Sequence, residues 1–111
     1  MLSSLPITDA RWNVKREVFA IHPGYHIAEE LQQRGVSQAE LARALHVPAS
    51  RVSEVIRGRR SVNADFALRL GRWMGTGPDI WLNLQRTYDL RVAEQRHGDE
   101  IARVRPWTDA A

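Results

Sequence analysis

Apolar residues recur at three- and four-residue spacings in successive groups, each closed by a chain-breaking signal. Ile27, Ala28 and Leu31 form the first group, entered through His22-Pro23 and closed by Gly35. Ser37-Gln38-Ala39-Glu40 opens the second as a capping box, and Leu41, Ala42 and Leu45 are its apolar face. A break at His46-Val47-Pro48 separates it from a third helix, over about 48–57, with Val52, Val55 and Ile56 inward and Gly58 as its stop. Asn63 can cap a fourth helix through Met74, with Ala67, Leu70 and Met74 on one side and Gly75 behind it. Pro78 and Asp79 start a fifth, over about 78–97, carrying Trp81, Leu84, Tyr88 and Val92. No two-residue alternation appears, so the expected class is all-α: a five-helix domain over 22–97, an irregular N-terminal arm over 1–21 and a tail over 98–111. Ile101, Val104 and Trp107 are the residues that could anchor that tail.

Composition then narrows the chemistry. The 111 residues contain no cysteine, which excludes zinc ribbons, disulfide frameworks and thiol catalysis. No basic-then-apolar leader and no run of about 20 apolar residues is present, so a cytoplasmic protein with no membrane contact is expected. Net charge is only +3, yet between Ser37 and Arg60 five arginines face two glutamates, an excess equal to that of the whole chain. Fifteen of the sixteen cationic residues are arginine, whose planar fork suits phosphate and guanine.

Two short helices joined by a three-residue turn make a helix-turn-helix, with Ala42 small enough for the two to cross closely. If Leu41, Leu45, Val52 and Val55 fill the core behind them, then Ala49, Ser50, Arg51, Ser53 and Glu54 point outward. Short polar residues followed by an arginine suit base edges in the major groove. On the fifth helix, Ile80, Leu82, Leu90 and Ala93 widen the apolar surface beyond one stripe. Ile80, Trp81, Leu84 and Tyr88 are therefore the expected dimer interface.

The segment from Ser37 to Gly58 resembles the Cro/phage-repressor type of helix-turn-helix, the XRE family. His22-Pro23-Gly24, Ala67-Leu68-Arg69-Leu70 and Trp81-Leu82-Asn83-Leu84-Gln85 further resemble the HigA (VapI-like) antitoxins, over roughly 22–93. The resemblance implies a homodimeric autorepressor of a palindromic double-stranded DNA operator that also neutralises a RelE-like, mRNA-cleaving toxin. It implies base contacts from Ala49, Ser50, Arg51 and Glu54. Phosphate contacts are expected from Ser37, Gln38, Ser53, Arg57, Arg59 and Arg60. The arm and the outer face of the first helix are the candidate toxin surfaces. One residue departs from the pattern: His46 stands where glycine is usual, at a position expected to need positive φ, at a small cost in stability.

Three rival readings bear on the same residues. His22, His26 and Glu30 stand at i, i+4, i+8, but with no H-E-x-x-H and no fourth ligand they do not predict a metal site. No nucleophile elbow or phosphate loop occurs, so neither an enzyme nor a cofactor is expected. A stand-alone prophage or metabolic repressor shares every DNA-binding feature. A protein-binding module without DNA affinity would favour an acidic recognition helix, and here Glu54 is outweighed by arginines.

Overall fold

The computed structural model describes residues 20–108, so the expected arm, except for its last two residues, and the final three residues of the tail lie outside the described part. Five helices follow one another: α1 (Pro23–Arg34), α2 (Gln38–Leu45), α3 (Ala49–Ile56), α4 (Ala64–Met74) and α5 (Asp79–Ala102). No strand occurs among the described residues. Each start has a local cause. His22 Nδ1 accepts the Gly24 N–H at 2.9 Å, with Pro23 as the first helical residue. Asn63 Oδ1 accepts the Phe66 N–H at 2.9 Å.

The chain divides at Tyr88. In the first part, Ile21–Tyr88, α1 and α2 pack on α3, and α4 packs on α2. The core holds most of the expected stripes, with Ala28 and Tyr88 left half-buried outside it, together with Phe66 and Val62, which had not been assigned to it. Phe66, Ile27, Leu41 and Leu70 are sealed from solvent, each worth about 1.5–3 kcal/mol of apolar burial. Gly24 explains why proline is followed by glycine in His22-Pro23-Gly24. A β-carbon at Gly24 would run into the carbonyl oxygen of Val55 and come within 2.8 Å of that of Ile56. The start of α1 therefore lies directly on the end of α3.

In the second part, residues 89–108, helical geometry fails at His97 (φ −131°, ψ 18°), where the sequence predicts the end of the helix. One further turn follows to Ala102, so α5 is longer than expected. The tail's expected anchors are exposed: Ile101, Val104 and, at 85%, Trp107. No helix among the described residues is long and apolar enough to cross a membrane.

Candidate nucleic-acid interface

The capping box forms as the sequence requires. The Glu40 N–H donates to Ser37 Oγ at 3.0 Å, and Glu40 Oε1 accepts the Ser37 N–H at 2.8 Å. These bonds, the backbone one first, hold the Glu40 carboxyl below its ordinary value of 4.5. Leu41, Ala42 and Leu45 are buried, and α2 ends at His46, which adopts φ 60° and ψ 45°. The positive φ expected of the histidine is present. The turn closes with the Val47 N–H on the Ala42 carbonyl at 3.1 Å.

A residue from outside the motif finishes that turn. Arg69 of α4 donates through Nη1 to the carbonyls of Leu45 at 2.8 Å and His46 at 3.1 Å. These are carbonyls that the end of α2 cannot satisfy internally. Its Nε is held by Asp65, at 3.0 and 3.1 Å from the two carboxylate oxygens.

Helix α3 buries Val52 and Val55 and turns Ala49 and Ser50 to solvent, with Ser53 and Glu54 half-buried. Arg57 and Arg59 follow, both exposed. Arg60 is drawn back by an ion pair with Glu54 at 2.9 Å. Ser37 and Gln38 are exposed at the start of α2. The loop between α3 and α4 is tied down by Gln85, a buried polar residue whose Oε1 accepts the Val62 N–H at 2.8 Å.

Two expected site residues are withdrawn from solvent in this chain. The Arg51 side chain is only 18% exposed. Its Nη2 donates to Asn63 Oδ1 at 3.0 Å, and its guanidinium lies 5.5 Å from the centre of the Phe66 ring. Its Nε is buried without an acceptor, a cost of about 1–3 kcal/mol that the ring contact only roughly offsets. Arg51 stands four residues before the buried Val55, on the flank of the inward face. That spacing was the available signal.

The second is Trp81, 4% exposed in the chain's own core, with its Nε1 donating to Thr76 Oγ1 at 3.0 Å. It has almost no surface left for a partner. Leu84 packs partly against the same core, and Tyr88 meets the His22 ring edge-on at 5.0 Å. Ile80, at 50% exposure, is the most accessible of the four. The histidines of the rejected metal reading are placed apart in role, His22 as a helix cap and His26 beside Glu29 at 3.9 Å.

Comparison with known proteins agrees with this architecture. Residues 27–81 match the helix-turn-helix family model. Virulence-associated protein I of Dichelobacter nodosus is 50% identical over 82 residues, covering 73% of this chain and 76% of that protein. An addiction-module antidote protein of the HigA family from Coxiella burnetii superposes with a TM-score of 0.75 at 43% identity, covering 79% of this chain and 98% of that one. The Pseudomonas aeruginosa antitoxin HigA, solved with the higBA promoter, gives a TM-score of 0.75 at 40% identity, covering 80% and 99%. The chain thus belongs to the Cro/repressor-type helix-turn-helix family, in the branch that holds Virulence-associated protein I and the HigA antitoxins.

Proposed function

We propose that this chain is the antitoxin of a type II toxin–antitoxin pair. In this reading it is a homodimer that represses its own promoter at a palindromic operator and neutralises a RelE-like, mRNA-cleaving toxin. The observation that carries the reading is the open side of α3, bordered by exposed arginines, on a scaffold that a relative uses with promoter DNA. Ala49, Ser50 and Glu54 supply base contacts in the major groove, and Ala49 is restricted to apolar contact such as a thymine methyl. Ser37, Gln38, Ser53, Arg57 and Arg59 take phosphates, and Arg60 joins them if it leaves Glu54. One short helix reads few base pairs, so two copies on half-sites about 34 Å apart are needed for specificity. Ile80 and the neighbouring face of α5 are the proposed dimer contact, and the arm over 1–21 with the outer face of α1 the proposed toxin surface.

The test is a titration of the full chain onto a fluorescent duplex from upstream of its own gene, beside a scrambled duplex, at two salt concentrations. A preference of about 10³-fold that falls steeply with salt is the expected result. Weak, equal binding to both would overturn the repressor reading. Co-expression with a toxic small basic protein, if one is encoded directly upstream, separates antitoxin from stand-alone repressor. Relief of growth arrest is expected, and arrest that persists, or no such neighbouring protein, would leave a repressor that neutralises no toxin.

A further inference from the structure

We propose that Arg51 is a positioning residue: it fixes the rotation of the recognition helix against α4 and does not itself read a base. The inference rests on the repressor reading above and assigns roles within its site. The Arg51 guanidinium meets three consecutive features at the start of α4: the cap, a carboxylate and a ring. Asn63 Oδ1 accepts from its Nη2 at 3.0 Å, Asp65 Oδ2 lies 3.8 Å from the same nitrogen, and the Phe66 ring lies beneath the guanidinium. Asp65 is also the carboxylate that holds Arg69, and Arg69 is bonded to the last carbonyls of α2. A continuous polar chain therefore runs from the end of α2 through Arg69, Asp65 and Arg51 to α3. Both helices of the motif are referenced to residues 63–66.

The consequence for recognition is geometric. Ser50 and Glu54 flank Arg51 along α3, so rolling the helix swings both away from a base edge at once. Reaching a guanine would require Arg51 to leave its bond to Asn63 and its ring contact together. The planar guanidinium suits this task, because it can stack on Phe66 and donate in its own plane to Asn63, which a lysine ammonium cannot do.

The experiment uses the full chain, the promoter duplex and a panel of its single base-pair variants. Wild type is compared with Arg51→Ala, Arg51→Lys, Asn63→Ser and the Arg51→Ala/Asn63→Ser double variant. Serine still caps α4, while its shorter side chain draws the acceptor away from Arg51. Both single alanine and serine variants should lose about tenfold in operator affinity, and the double variant little more, as expected for residues acting through one contact. The ranking of base-pair variants and the salt slope should stay as in wild type, and lysine should not restore affinity. Loss of preference at one base pair in Arg51→Ala alone, with Asn63→Ser unchanged, would make Arg51 a base reader and overturn the proposal. A salt slope reduced by about one, with rescue by lysine, would make it a phosphate contact and overturn it equally. Circular dichroism at the assay temperature verifies that each variant is folded. If Arg51→Ala is not, Arg51→Lys against Asn63→Ser carries the comparison. Absence of any operator preference in wild type is a different result, and it overturns the underlying repressor reading.

Discussion

The side-chain oxygen of Gln85 accepts the backbone N–H of Val62 across twenty-three residues of sequence, in a setting closed to water. That bond fixes the loop that carries Arg57, Arg59 and Arg60. Gln85→Ala leaves a buried donor without an acceptor and should cost about 1–3 kcal/mol. Urea denaturation checks it, and loss below a few tenths would show that the loop reseats itself.

Two glycines should respond differently to the same methyl group. Gly24→Ala drives a β-carbon into the carbonyls of Val55 and Ile56, neither of which can move without unwinding α3. Gly35→Ala meets open space and suffers only from its positive φ. The expected losses are about 3 kcal/mol or more at Gly24, by overpacking, and about 1–2 at Gly35. Thermal melts of the two variants side by side test the ordering.

His46 holds the left-handed conformation between α2 and α3 with an L side chain. His46→Gly removes that strain but loosens the unfolded chain, so a net gain of up to about 1 kcal/mol is expected. His46→Val, whose β-branch is still less compatible, should lose stability. The Arg69 bonds to the turn go to backbone carbonyls and survive both changes.

The Glu40 carboxyl is held below 4.5 by the Ser37 N–H, then by the Ser37 hydroxyl. A value lowered in the folded state means that the stabilisation is complete above the unfolded value and disappears as pH falls through the folded one. Unfolding followed between pH 6 and pH 3 should therefore show an acid decline below about 4.5 that is shallower in Glu40→Gln. Identical slopes would remove Glu40 as a contributor.

Arg57 and Arg59 are exposed beyond the end of α3. If they meet phosphate, Arg57→Ala and Arg59→Ala should weaken operator and scrambled duplex alike, each reducing the salt slope by about one. Unequal losses on the two duplexes would make the residue a reader of sequence.

The helices were legible because their signals are local. A capping box lies within four residues, a proline-entered helix within two, and a glycine stop at one. What escaped lies across the sequence. Arg69 finishes a turn more than twenty residues upstream, and Gln85 serves a loop equally far away. Periodicity could have found more than it did. Phe66 stands four residues before Leu70 on the buried side of α4, and Arg51 four before Val55 on that of α3. Trp81 shows the converse difficulty: a stripe marks a residue for burial without saying which surface, its own or a partner's, does the burying, and here the chain's own core takes it.

Asn63 Oδ1 serves two donors, the Phe66 N–H of its own helix and the guanidinium of another. As a helix cap alone, the position would accept serine, threonine, aspartate or asparagine almost interchangeably. The second donor narrows that tolerance. Among relatives of this chain, residues 51 and 63 should therefore change together, with cap variety widening wherever the arginine is lost.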